Sequence, residues 1–135
     1  GLADRALAVT GQTAGSTSIL GDLSLANATA TLSVRIQGAA TFDRMSITGA
    51  VLVTGGARLL VDSSAFDPAG GTTYVIVDND GADPIAGTFA GLPEGWTFTA
   101  NARNYRISYV GGDGNDITLT RVVGTPVELQ EFSAE

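Results

Sequence analysis

Apolar and polar residues in this chain alternate one for one over short stretches, and the stretches end at small turn residues. Between Thr29 and Ile36, Leu32, Val34 and Ile36 alternate with Thr31, Ser33 and Arg35, the period of two that buries one face of a strand and wets the other. Met45/Ile47, Val51/Val53 and Leu59/Val61 continue the pattern, bounded by turns such as Thr48-Gly49 and Thr54-Gly55-Gly56. No apolar stripe at helical spacing runs longer than two turns, because Gly or Thr interrupts the candidates. The pattern therefore predicts an all-β fold.

The stretches also recur. Leu23-Ser24-Leu25 followed by Ala30-Thr31-Leu32-Ser33-Val34 overlays Val51-Leu52-Val53 followed by Ala57-Arg58-Leu59-Leu60-Val61, at offsets of 28 (51 − 23) and 27 (57 − 30) residues. Two short strands joined by a small-residue corner and repeated at this spacing predict coils of a short β-solenoid, each needing a neighbour to bury its face. An antiparallel β-sandwich is the alternative. The second half changes character: Thr73 to Val77 is nearly continuous apolar sequence, as in a strand covered on both faces, and eight of the nine aromatics lie from Phe66 onward. Bulk placed there suits a cap over the last coil's open cross-section and edge. The expected organisation is one domain over residues 1–123, with coils over 1–65 and an aromatic-rich β cap over 66–123, then an extended tail or linker over 124–135. Leu32, Val34, Ile36, Ile47, Val53, Leu59, Val61, Val75, Val77, Trp96, Phe98 and Ile107 are the expected core.

Composition narrows the function. The chain has 135 residues, enough for one modest core, and a net charge of −7, with 7 basic residues that are all Arg. Nucleic acid and anionic lipid, which need clustered positive charge, are not expected partners. With no Cys and no His, thiolate nucleophiles, disulfides, the usual general base and the commonest transition-metal ligand are absent. No window of about 18 apolar residues is present, so no membrane insertion is expected. The start at Gly1, without an initiator Met or an apolar leader, reads as a processed or excised end. Low charge without Cys or Lys suits a chain exported unfolded and assembled outside the cell.

Several local patterns carry possible chemistry. Gly111-Gly112-Asp113-Gly114-Asn115-Asp116 is close to the calcium nonapeptide G-G-x-G-x-D-x-U-x, making Asp113, Asn115 and Asp116 candidate calcium ligands and calcium the one candidate cofactor. The large apolar residue belongs at the eighth position, which here is Thr118 between Ile117 and Leu119. The competing reading is a hairpin turn between Tyr105–Val110 and Ile117–Val122, where Asp and Asn tolerate positive φ. Asp78-Asn79-Asp80-Gly81-Ala82-Asp83 partly follows an EF-hand start but has no Glu at position twelve, and reads as a strand-ending turn. Asp62 with Asp67 or Glu94 is a carboxylate combination of the kind glycosidases use; the acids fall at turns, and no catalytic residue is assigned. Trp96, two residues from Phe98, is expected in the core, with a sugar-stacking platform as the alternative and a glycan as its partner. Arg35, Arg44, Arg58, Arg103 and Arg106 are expected on the surface.

After Pro126, Val127, Leu129 and Glu131 alternate with Glu128, Gln130 and Phe132. Val127, Leu129, Glu131 and Phe132 are therefore candidates for strand addition to a neighbouring copy. Head-to-tail stacking into a fibre follows if the first coil, around Leu7, Val9 and Ile19, exposes an apolar cross-section. Self-association, or packing against neighbouring repeats of one chain, is the expected kind of partnership.

Ala30-Thr-Leu-Ser-Val, Asp43-Arg-Met-Ser-Ile-Thr-Gly49 and Gly56-Ala-Arg-Leu-Leu-Val61 resemble the last coils of autotransporter-type bacterial surface proteins. Tyr74-Val-Ile-Val-Asp78, Gly87-Thr-Phe-Ala-Gly-Leu-Pro-Glu-Gly95, Tyr105-Arg-Ile-Ser-Tyr109 and Gly111-Gly-Asp-Gly-Asn-Asp116 with Leu119-Thr120 resemble the module closing many autotransporter-associated β-strand repeat proteins, over roughly residues 20–122. The resemblance implies a non-catalytic parallel β-helix or β-rich end of a large secreted or surface-displayed bacterial chain, an adhesin or its stalk. The chain departs from the autotransporter pattern in that no membrane-barrel domain follows before Glu135. Its segment Thr125-Pro-Val-Glu-Leu-Gln-Glu-Phe-Ser-Ala-Glu135 is similar instead to linkers that join such modules to C-terminal sorting domains.

Overall fold

The computed structural model describes residues 2–3, 6–7, 15–79 and 83–123, and every regular element among them is a strand. In chain order these are β1 (Leu2–Ala3), β2 (Ala6–Leu7), β3 (Ser16–Ile19), β4 (Leu23–Leu25), β5 (Thr31–Arg35), β6 (Arg44–Ile47), β7 (Val51–Val53), β8 (Arg58–Asp62), β9 (Thr73–Asn79), β10 (Ala86–Gly87), β11 (Thr97–Ala100), β12 (Arg103–Gly111) and β13 (Asp116–Val122). The protein is all-β, as the alternation predicts. No helix among the described residues is long and apolar enough to cross a membrane.

The strands form three ladders. The first runs β1-β4-β7-β10 and the second β2-β5-β8, both parallel throughout. The third begins in parallel as β3-β6-β9 and then continues antiparallel through β13, β12 and β11. The repeat visible in the sequence is the pairing register itself: Leu23 lies opposite Val51, and Leu32 opposite Leu59. In the third ladder Met45 meets Val77, an offset of 32 (77 − 45), because the β8–β9 connection is two residues longer than the β5–β6 connection and β9 begins three residues ahead of the position opposite Arg44.

Burial fixes that register. Leu32 and Val34 on β5 are buried while Thr31, Ser33 and Arg35 are partly exposed. A slip of one residue would turn the apolar pair outward, at roughly 1.5–3 kcal/mol for each side chain. The corners stack closely: Thr54 N donates to Leu25 O and Arg58 N to Ala30 O, at 2.8 and 2.9 Å. Gly55 sits between them at φ +67°, where a Cβ would strike the Ala26 carbonyl, so only glycine fits both the conformation and the space.

Leu23, Leu25, Val51 and Val53 of the first ladder, Leu32 and Val34 of the second, and Met45, Ile47 and Val77 of the third form one core with the later aromatics Tyr74, Phe89, Tyr105 and Tyr109. Phe42, the one aromatic that precedes the expected cap, meets the Tyr74 ring edge-on at 4.8 Å. Three expected core positions, Leu59, Val61 and Phe98, are only partly buried, as is Val75. Trp96 corrects the reading outright, being 53% exposed. Spacing by two assumes that a strand already runs at Trp96, but β11 starts at Thr97, and Trp96 still belongs to a turn in which its amide donates to Pro93 O.

Candidate functional site

The Gly111–Asp116 segment is the turn between β12 and β13, in agreement with the hairpin reading of that motif. Gly112 takes φ +57°, and a Cβ there would run into the Asp116 carboxylate, so the turn folds back onto that side chain. Asp116 is 5% exposed, and its Oδ1 accepts the buried amide of Asn79 at 2.9 Å. Asn79 Nδ2 donates to the Asp83 carbonyl at 2.7 Å, and Asn115 Nδ2 donates to the same oxygen at 3.2 Å. Two acidic loops that are separate in sequence thus meet at one end of β9 and β13, a convergence that no local motif announces.

Burial pushes the Asp116 carboxyl above its ordinary range; the Asn79 amide works against that shift, and the charges of Asp113 and Asp78 add to it. Asp78 is itself paired with Arg44, Nη2 to Oδ2 at 2.8 Å. Calcium asks for six to eight oxygens. Among the described residues no group of three or more acidic side chains gathers that could hold a metal ion. Of the three candidate ligands, Asp116 is buried against Asn79, Asn115 faces the Asp83 carbonyl, and Asp113 is exposed.

The carboxylates considered for catalysis have separate structural partners. Asp62 turns onto Ser64, accepting from both its hydroxyl and its amide, which hold its carboxyl below the usual range. Asp67 is bracketed by Arg121 and Arg103 at 3.1 and 3.2 Å, and Arg121 first, then Arg103, lowers its carboxyl. Glu94 accepts Ser108 Oγ at 2.8 Å and the Tyr109 amide at 2.7 Å. Ile107 N donates to Trp96 O on the β11 side of β12, and two residues on, where β11 no longer runs alongside, the Glu94 carboxylate takes the Tyr109 amide in its place.

Sequence reading also passes over Tyr109. Its hydroxyl donates to Leu92 O at 2.6 Å and accepts the Phe89 amide at 2.9 Å, pinning the 89–92 turn. Burial pushes the phenol up to about 12, against the Phe89 hydrogen bond and with help from the Glu94 charge. Beside this pin the Trp96 indole is half exposed, at the head of β11, where Ile107 N donates to Trp96 O at 3.0 Å. Val127, Leu129, Glu131 and Phe132 lie outside the described residues, as do Val9 and the side chains of Leu7 and Ile19.

Among the described residues the chain is an all-β protein of mixed parallel and antiparallel ladders, and Asp22, Asp43, Asp62, Asp67, Glu94 and Asp116 all hold backbone amides or neighbouring side chains in place. None of the family models, curated proteins or solved structures compared with it matches the chain.

Proposed function

We propose that the chain is a non-enzymatic structural module of a secreted or cell-surface bacterial protein, a stalk or passenger segment built as a short β-solenoid. Its coils are β1-β2-β3, β4-β5-β6 and β7-β8-β9, and β11 to β13 form the aromatic-rich cap. One observation carries this reading: the pairing of Leu23 with Val51 and of Leu32 with Leu59, followed by antiparallel β13 on the next edge. Stacked strands of this kind bury a continuous core without a ligand, and β13 protects the β9 edge from further pairing. The edge taken by β13 favours a terminal segment over a self-assembling fibre subunit, since a head-to-tail copy would need that edge. The likeness to modules closing autotransporter-associated repeat proteins supports the surface location. Immunogold labelling of intact, unpermeabilised producing cells tests it: label on the outside is the expected result, and label only after lysis would overturn the proposal.

A carbohydrate-binding module is the second reading, and the half-exposed Trp96 favours it. Trp96 is the single Trp of the chain, so its emission during titration with a panel of soluble polysaccharides reports directly on that surface. Saturable change would support glycan contact; a flat response would remove it.

A further inference from the structure

Two of the four prolines follow an aspartate, which gives the peptide bonds Asp67–Pro68 and Asp83–Pro84. An Asp–Pro bond is unusually open to attack by its own side chain. The carboxylate reaches its own backbone carbonyl carbon by closing a five-membered ring, and the Pro nitrogen, part of a tertiary amide, leaves as a secondary amine once it is protonated. Because the nucleophile is built into the chain, its effective concentration is high, and the surroundings of the carbonyl set the rate.

The fold treats the two bonds differently. The Asp83 carbonyl oxygen, which belongs to the bond to Pro84, accepts Asn79 Nδ2 at 2.7 Å and Asn115 Nδ2 at 3.2 Å. Asn79 is buried at the end of β9, its own amide held by Asp116 Oδ1, and Asn115 stands in the turn before β13. Two side-chain amides from distant parts of the chain thus converge on one carbonyl oxygen, the arrangement that stabilises an oxyanion as the carbonyl carbon becomes tetrahedral. Asp83 and Pro84 are exposed, so water and solvent protons reach the bond. The charges of Asp78 and Asp113, which reach Asp116 in this pair of loops, oppose the oxyanion and favour protonation of the leaving nitrogen. At Asp67 the arrangement is reversed. Arg121 and Arg103 hold its carboxylate at 3.1 and 3.2 Å, and among the described residues no hydrogen bond reaches its carbonyl oxygen.

We propose that Asp83–Pro84 is a self-cleavage site of the folded chain. The Asp83 carboxylate attacks its own carbonyl carbon while Asn79 and Asn115 hold the oxygen that becomes negative. The C–N bond then breaks, the Pro84 nitrogen takes a proton from solvent, and water opens the cyclic anhydride to leave Asp83 as a new C-terminus and Pro84 as a new N-terminus. This is a single turnover of the chain on itself, so it goes beyond the structural role without making the module an enzyme. The cut falls between β9 and β10, and β9 stays paired with β13 and β10 with β7, so both pieces remain anchored in the fold.

The test is intact-mass spectrometry of the full chain after incubation in mildly acidic buffer, with and without a denaturant. Under denaturing detection the folded chain is expected to yield residues 1–83 and 84–135, with Asp83–Pro84 cut at least roughly tenfold faster than Asp67–Pro68 and roughly tenfold faster than in the unfolded chain. Asp83→Asn, which lacks the nucleophile, is expected to stay whole, and Asn115→Ala to be cut about tenfold more slowly. Equal cleavage of the two Asp–Pro bonds in the folded chain would overturn the proposal. So would cleavage at Asp83–Pro84 that is no faster folded than unfolded, or an unchanged rate in Asn115→Ala.

Discussion

The Asp43 carboxylate receives both ends of the Arg35 guanidinium, Nε at 2.8 Å and Nη2 at 3.0 Å, and the same two oxygens accept the amides of Arg35 and Gly15. Gly15 precedes β3, and Arg35 ends β5. One side chain thus ties the corner between β5 and β6 to the strand laid before it. Burial works against the charged form, yet the Arg35 side chain and the Gly15 and Arg35 amides outweigh it and hold the Asp43 carboxyl below its usual range.

Replacing Asp43 by Ala should cost about 2 kcal/mol, the scale of hydrogen bonds to a charged group. Because the native carboxyl is held low, its contribution is fully present above the unfolded value near ~3.9 and is lost as pH falls through the native value. Denaturant unfolding as a function of pH should therefore show Asp43→Asn losing less stability than the parent chain below about pH 4. Parallel losses in the two proteins would mean that the Arg35–Asp43 contact carries little of the acid sensitivity.

Tyr109 holds the 89–92 turn through its hydroxyl alone. Tyr109→Phe keeps the ring against Phe89, 6.3 Å away, but leaves the buried Phe89 amide without its acceptor. A loss of about 1–3 kcal/mol is expected, along with faster exchange of the Phe89 amide and little change at Leu23 or Leu32. A variant as stable as the parent would show that the pin is dispensable.

The two-residue turn between β11 and β12 places Asn101 at φ 53° and Ala102 at φ 65°. Asn tolerates that conformation, and Ala pays a steric cost of roughly 1–2 kcal/mol there. Ala102→Gly should accordingly raise stability by up to about 1 kcal/mol, after the added entropy of the unfolded chain is offset. A lower melting temperature in Ala102→Gly would contradict the left-handed assignment.

Asp116 distinguishes a structural turn from a calcium site. Asp116→Ala removes the acceptor of the buried Asn79 amide and should cost about 1–3 kcal/mol, by the same amount in calcium and in chelator. Its carboxyl is raised, so the contribution it makes is full below the unfolded value near ~3.9 and declines as pH rises through the native value. The Asp116→Ala penalty should thus be larger in acid than at neutrality. A melting temperature of the parent chain that climbs with calcium, and fails to climb in Asp116→Ala, would instead make Asp116 a ligand.

Much of the fold is legible in period-two runs. Leu32 and Val34 are buried because Thr31, Ser33 and Arg35 cannot be, and the overlay of Leu23 on Val51 reproduces the ladder register. Less is legible where pairing is long-range or irregular. The meeting of Asn79 with Asp116 spans 37 residues, and although the apolar run of 73–77 anticipates that Ile76 and Val77 are both buried, it does not show the register shift between β9 and β13 at that point. Trp96 is misread because a turn, not a strand, sets its direction. Asp43 and Tyr109 carry no sequence signal, since their roles rest on amides that only the tertiary fold brings within reach.

The most direct test is a set of interstrand proton contacts by nuclear magnetic resonance across residues 23–61. Stacked parallel strands predict contacts joining Leu23 to Val51 and Leu32 to Leu59, with no close Hα–Hα pairs between β4 and β7 or between β5 and β8; the antiparallel bridge of Ile36 with Phe42 lies in the corner after β5. Close Hα–Hα pairs within either of those strand pairs, or contacts at a register other than 27–28 residues, would contradict the account.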